Sequence, residues 1–416
     1  MKKALLALLS VLLLIANFSF AQTDYRGIIS NDFRQRFEDY NFNLTRDAQG
    51  VRGLGMGRAN TAAVNDVSAI YWNPAATTTL RGLQLSINAD MDFGSQEHQQ
   101  PRYSGITART EVTPLADISF AAAVWPLAIG RRHLALGVGY MGFQTMDTHY
   151  ETTQFYYGGG RILEQEEMNG GAKSLSSSLA FDIFPSLSVG GSYNSIFNKS
   201  DFELKIGSPY ADHTVYFRFA DREEYSGSYL DFGAQWRVAS WLSLAAKVTP
   251  EWTFSIAEKK EAFYETNLLT GQEWEVETPA DSLATFDITM PLAYNAGIAV
   301  KPSQTITIAV DVAAQAWSGT KESTTAAEGL AVPTQLVDVF SWRIGVEKVL
   351  QAGRWSVPVR LGYFIDPSPY RDRLYRQKYE GDQIENQGWS IGMGVVRGKF
   401  TFDFAFERGS QEVGWW

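Results

Sequence analysis

The chain has 416 residues, a net charge of −10, no cysteine, and 19 Tyr, 25 Phe, 12 Trp and 36 Gly. Without Cys, disulfides and thiolate metal sites are excluded. The acidic balance argues against nucleic acid as a partner, and the length suits two or three soluble domains or one large β-structure.

Lys2-Lys3 precede an apolar run from Ala4 to Ala16, and Ser19-Phe20-Ala21 has small-x-small form. This predicts a secretory signal peptide over 1–21, with the mature chain beginning near Gln22. The apolar run is short for a membrane anchor. Downstream, no run of about 18 apolar residues appears, so no transmembrane helix is expected. Residues 22–81 carry Gly53, Gly55 and Gly57 and show no sustained alternation. Within them "AIYWNPAATTTL" (69–80) sets Tyr71 and Trp72 against Asn73-Pro74-Ala75, a turn signal in which neither helix nor strand continues comfortably.

From residue 82 the pattern changes to period two. In "KFTFDFAFE", Phe400, Phe402, Phe404 and Phe406 share one face, and Thr401, Asp403, Ala405 and Glu407 the other. "TITIAVDV" and "YLDFGAQWR" alternate in the same way. A soluble sandwich would also alternate, but two features favour lipid outside and water inside. Short turns ("WPLAIGRRH", "DIFPSLS", "RVASWLS", "VKPSQT", "VLQAGRWS", "VVRGKF") alternate with long polar segments, as in outer-membrane barrels. Trp125, Trp236, Trp241 and Trp355 flank the short turns, where an interfacial girdle would lie. The hairpin arms number about thirteen, whereas bacterial single-chain barrels have even counts. Either one strand escapes the pattern or the closing strand is absent from this chain; C-terminal truncation is the first expectation.

"GVRGLGMGRANTAAVNDVSAIYWNPAAT", "TFDITMPLAYNAGIAVKPSQTITIAVDVAAQAWS", "VRLGYFIDPSPYRD" and "WSIGMGVVRGKFTFDFAFE" resemble segments of the FadL/TodX family of outer-membrane transporters for long-chain fatty acids and other hydrophobic compounds. The resemblance runs from about residue 50 to the end. It implies an all-β fold: an antiparallel transmembrane barrel (82–416), fourteen-stranded in the family, around an N-terminal hatch (22–81). It also implies passive, hatch-gated uptake of a fatty acid or hydrocarbon. A non-transporting barrel serving as shuttle or scaffold for secreted proteins is the alternative. The hatch signature is shared with such barrels.

The resemblance marks Gly53, Gly55, Gly57, Asn73, Pro74 and Ala75 as the gating element, with ordinary plug packing as the plainer reading. Family members use a kink in the third strand as a sideways exit. Here that strand reads "HLALGVGYMGF", where Gly137, Gly139 and Gly142 either weaken the ladder or simply make room for the hatch. Alternation places Lys247, Arg343 and Arg360 in the lumen with Asp231, Asp311, Glu347, Asp403 and Glu407. The three cations are candidate partners of a ligand carboxylate; a mixed-sign network joining hatch to wall is the plainer reading.

No catalytic residue, metal or cofactor is expected. "GLGMG" lacks a strand-turn-helix context, and His98, His133, His149 and His213 are scattered without ligand spacing. His133, beside Arg131 and Arg132, reads as surface charge at a turn. Glu164, Glu166 and Glu167 read as solvated external charge or as a bridge to divalent cations between lipopolysaccharide molecules. The expected setting is the bacterial outer membrane. The expected partners are its lipid and lipopolysaccharide and a hydrophobic small molecule, with no nucleic acid, and the expected state is a monomer.

Overall fold

The computed structural model describes residues 49–91, 95–99, 107–112, 116–145, 148–155, 161–209, 213–268, 273–277, 283–320, 322–324, 336–369, 371–373 and 380–411. The expected leader and the chain up to residue 48 lie outside the described residues, as do parts of each long connection.

Two short helices, α1 (Val51–Gly55) and α2 (Ala69–Trp72), and a 3-10 segment (Pro74–Thr79) come first. The strands follow: β1 (Gln84–Met91), β2 (Ser95–Gln99), β3 (Thr107–Val112), β4 (Ala116–Ile129), β5 (Arg132–Thr145), β6 (Thr148–Phe155), β7 (Arg161–Phe184), β8 (Leu187–Phe197), β9 (Lys199–Pro209) and β10 (His213–Ala239). Next come β11 (Leu242–Thr249), β12 (Trp252–Leu268), β13 (Glu273–Glu277), β14 (Leu283–Met290), β15 (Ala293–Ser303), β16 (Ile306–Gln315) and β17 (Glu322–Thr324). The described chain closes with β18 (Val339–Ala352), β19 (Trp355–Ile365), β20 (Arg371–Arg373), β21 (Glu380–Gln383), β22 (Asn386–Arg397) and β23 (Phe400–Gln411).

The wall is one antiparallel sheet in the order β1-β4-β5-β7-β8-β10-β11-β15-β16-β18-β19-β22-β23. That is the thirteen strands the hairpin count expects. Among the described residues no ladder joins β1 to β23. Two wall strands are broken where proline removes an amide donor: β12 resumes after Pro250-Glu251, and β14 passes into β15 across Pro291-Leu292. The remaining strands, apart from the β20–β21 hairpin, extend the sheet beyond the wall on the side of the long connections. The opposite rim has six two-residue turns, at 130–131, 185–186, 240–241, 304–305, 353–354 and 398–399, each inside a segment expected to turn.

Which face is buried decides the architecture. On β10, Leu230, Phe232 and Trp236 are exposed, while Asp231 and Gln235 are buried. On β16, Val310 and Val312 are exposed, and Thr307 and Asp311 are buried. A water-soluble sandwich has the reverse polarity; polar-in and apolar-out is the barrel arrangement. Trp125, Trp236, Trp241 and Trp355 point outward at the short-turn rim, as expected. Trp342 and Trp389 point outward as well, near the opposite ends of β18 and β22, and suggest a second girdle that the sequence reading did not single out.

Candidate functional site

The hatch lies inside the wall, and its first turn is shaped by a helix-terminating motif. Gly57 N–H donates to Leu54 O (3.0 Å) and Arg58 N–H to Gly53 O (2.9 Å). This is a Schellman pattern with Gly57 at the left-handed position (φ +60). A Cβ on Gly57 would also strike the Gly362 carbonyl carbon at 2.8 Å, so both conformation and space demand glycine. Its N–H donates again, to Ser390 Oγ at 2.9 Å. Gly53 makes room for the Trp72 ring, and Gly55 packs on the Gly392 Cα.

The arginines beside these glycines reach the wall. Arg52 forks onto Glu347 (3.1 Å to each oxygen) and donates to Asn60 Oδ1 (2.7 Å) and Ala63 O (2.9 Å). Glu347 also accepts from Arg360 Nε (2.8 Å), whose Nη1 donates to Asp403 (2.6 Å). Arg58 donates to Glu407 (3.1 Å) and Asp366 (3.2 Å), and its guanidinium lies 4.5 Å from the Phe364 ring centroid. Asp366 also accepts from Arg343 (2.9 Å). Burial alone would raise the Asp366 carboxyl pKa, but Arg343 and Arg58 outweigh it and hold it below the usual carboxylate range. Asp311 accepts from the backbone N–H groups of Asn60 (2.8 Å) and Thr61 (2.7 Å).

The second half of the hatch is seated differently. Trp72 Nε1 donates to Gln49 O (2.6 Å), and Gln49 Nε2 donates to Gly142 O on β5 (2.8 Å). Lys247 donates to Tyr71 O (2.8 Å), its ammonium 5.0 Å from the Tyr71 ring centroid. Asn73 is fully buried; its Nδ2 donates to Ala234 O (3.1 Å), and its Oδ1 accepts from Ala75 N–H (3.2 Å). It thus caps the 3-10 segment that Pro74 begins. Inward-facing glycines of the wall form the seat. A Cβ on Gly137 would lie 2.9 Å from Ile70 Cδ1, on Gly190 2.9 Å from Ala75 N, and on Gly233 3.0 Å from Pro74 Cδ. Gly297, Gly345 and Gly362 meet Thr61, Met56 and Gly57 in the same way. At the short-turn rim, Thr78 Oγ1 donates to Ser188 Oγ (2.9 Å), which donates to Asp182 (2.7 Å). Asp182 also bonds the His133 ring (2.9 Å), so that His133, half exposed at its turn, has a specific partner as well.

Farther from the short-turn rim, beyond the 3-10 segment, the interior holds an apolar cluster. Phe143, Tyr225, Tyr229, Trp252, Phe254, Ile256, Ile288, Met290 and Trp317 form one buried cluster. Phe143 lies 5.9 Å from Trp252 and 5.7 Å from Phe254, and Tyr229 lies 4.9 Å from Trp252, centroid to centroid. Phe143 enters this cluster from a β-bulge: Gly142 pairs with Lys173 and Gln144 with Ala172, leaving Phe143 as the extra residue.

A model of the family described as "Outer membrane protein transport protein (OMPP1/FadL/TodX)" matches residues 44–376. The chain belongs to this family. Like other OMPP1/FadL/TodX members it is an outer-membrane transport protein and not an enzyme. Its fold is similar to that of a Pseudomonas aeruginosa FadL homologue (13% identity, 88% of this chain and 90% of that one, TM-score 0.52). It is also similar to the CymD channel (15%, 89% and 94%, 0.54) and to the deltaS2S3 mutant of TodX (11%, 86% and 97%, 0.52). Direct comparison with curated protein sequences finds no match.

Within this FadL/TodX-type barrel, five of the six expected hatch residues (Gly55, Gly57, Asn73, Pro74 and Ala75) abut the wall, and Gly53 packs inside the hatch against Trp72. The three glycines expected on the third wall strand differ from one another. Gly137 seats Ile70, Gly142 receives Gln49 and borders the bulge, and a Cβ on Gly139 would meet nothing closer than 3.4 Å. Of the three expected carboxylate partners, Arg343 and Arg360 are ion-paired to the wall, and Lys247 is bonded to the hatch. The hatch cations Arg52 and Arg58, and the aromatic cluster, were not singled out in the sequence. The signal for the first was present: two arginines inside the glycine run "VRGLGMGRAN".

Proposed function

We propose that the chain is a passive channel for hydrophobic small molecules, monoaromatic hydrocarbons or long-chain fatty acids, with the hatch as its gate. The observation that carries this reading is the aromatic cluster inside the barrel, on the external side of the hatch. A barrel that served only as a scaffold has no need of Trp252, Phe254, Tyr229 and Phe143 on its inner face. An aromatic guest burying about 200 Å² at about 25 cal/mol per Å² gains about 5 kcal/mol. That corresponds to sub-millimolar binding, weak enough for release. CymD, of similar fold, is described as a monoaromatic hydrocarbon channel.

The bulge on β5 supports a sideways exit on that strand. Phe143 belongs to the aromatic cluster, and Gly142 is tied to the hatch through Gln49, so the proposed guest site, exit strand and gate share one set of contacts. Arg343 and Arg360 act in this reading as wall anchors, since a ligand carboxylate would have to displace Asp366, Glu347 or Asp403. The test is toluene and oleate uptake by cells producing the chain or its Trp252→Ala variant, with barrel folding checked by heat-modifiable gel mobility. A several-fold loss of uptake with a folded barrel is expected; unchanged uptake would overturn the proposal.

A further inference from the structure

Between the hatch and the aromatic cluster lies a patch of opposite character. Strand register defines it row by row. Pro74 and Ala75 sit over the row Ala180–Gly190–Gly233. The next inward-facing row, about 7 Å away along the strands, is Ser178–Ser192–Asp231, followed by Ser176–Asn194–Tyr229 and then Ser174–Ile196. Tyr229 and Ile196 already belong to the aromatic cluster.

The hydroxyls of Ser174, Ser176 and Ser178 are buried, and none has a hydrogen-bond partner among the described residues. Their residues are only 1%, 4% and 7% exposed, where an unmet hydroxyl is costly. Across the row, Asn194 Nδ2 approaches Ser192 Oγ (3.2 Å) and Asp231 (3.4 Å), and Thr249 hydrogen-bonds Asp231. A methyl-sized gap lies beside Ser176: its ladder partner Gly139 faces inward, and a Cβ there would rest at ordinary van der Waals distance from Ala122, Met141 and the Ala121 carbonyl. Three unmet hydroxyls on successive inward rows form a polar strip that calls for water or a ligand group as its partner.

We infer that this serine strip binds the hydroxyl head of a neutral amphiphile whose ring or chain lies in the aromatic cluster, making hydroxylated hydrophobes the preferred cargo. The inference rests on the channel reading above and narrows its substrate class. A carboxylate head suits the site poorly, because Asp231 supplies negative charge and the neighbouring cation, Lys247, is already bonded to the Tyr71 carbonyl. A plain hydrocarbon leaves the serines to water.

The experiment uses three probes of one shape, toluene, p-cresol and p-toluate, titrated calorimetrically into the full chain in nanodiscs, with empty nanodiscs subtracted. Binding of p-cresol about 10-fold tighter than toluene is expected from one to two added hydrogen bonds at about 1 kcal/mol each, with p-toluate weakest. The variant carrying Ser174→Ala, Ser176→Ala and Ser178→Ala should bring p-cresol down to the toluene level and leave toluene within about twofold. Ser176→Ala alone should lose part of the preference, and serves if the triple variant misfolds. Equal affinities in the wild type, or a preference that survives either folded variant, would overturn the inference while leaving the channel intact. Failure of all three probes to bind would overturn the channel reading itself and this inference with it.

Discussion

Between Arg52 and Arg58 the hatch is fixed to β18, β19 and β23 by charge, whereas between Ile70 and Thr79 it rests on β5, β8 and β10 by shape. The first region has two guanidinium groups on three carboxylates, largely out of water. The second has glycine seats, the Asn73 amide, the Thr78 hydroxyl and one ammonium, Lys247, on a carbonyl. Removing one partner of a buried ion pair is expensive, while neutral hydrogen bonds contribute about 1 kcal/mol each. The difference assigns unequal mobility to the two halves of one plug. In the proposed channel the charged half is the anchor, and the neutral half, whose residues 70–79 carry no charge, is the part that moves without breaking an ion pair between hatch and wall.

Variants can break this contrast. The largest effect is expected from Glu347→Ala, which leaves Arg52 and Arg360 without their shared carboxylate; about 3–5 kcal/mol should be lost. Urea unfolding of the barrel followed by tryptophan fluorescence measures it. Acid should loosen the same half next. Asp366 titrates below its unfolded value, so its contribution is complete above about pH 4 and drains away as pH falls through the lower folded pKa. Hydrogen exchange at Arg58 and its neighbours should therefore quicken below about pH 4, and earlier than at Asn73.

Gly233→Ala comes third: its methyl collides with Asn73 and Pro74, and overpacking of this kind costs about 1–3 kcal/mol. The barrel should still fold, and liposome swelling should report a leakier channel. Asn73→Ala removes a cap and a wall bond for about 1 kcal/mol. It should raise toluene flux while leaving gel mobility unchanged. Gly139→Ala is the smallest change. Its added carbon meets only ordinary contacts, so a stability shift above about 1 kcal/mol would show that the space beside Ser176 is filled.

The wall could be read from the sequence because a barrel repeats one local rule. Phe400, Phe402, Phe404 and Phe406 declare an outward face by themselves, and each two-residue turn lies within a short polar break. The hatch contacts follow no local rule: Arg52 and Glu347 lie 295 positions apart, and nothing near either names the other. The glycine seats occupy an intermediate place. Gly190, Gly233, Gly297, Gly345 and Gly362 stand at inward positions of successive hairpins, a pattern visible once each strand's inward register is known. The aromatic cluster escaped because the polarity of the alternation is reversed there: Trp252, Phe254 and Ile256 are buried while Glu251 and Thr253 are exposed, and period two alone does not say which face turns inward.

The Arg58–Glu407 pair joins residues 349 positions apart, the hatch to the last described strand. Contacts this distant form late and slow a fold down. Yet the seats on β5, β8 and β10 are available as soon as those strands are threaded. In chain order, then, the seats of the plug precede its clamps: the glycines on β5, β8 and β10 come before the carboxylates of β18 and β23, and the plug ties the two ends of the sheet to each other through the lumen.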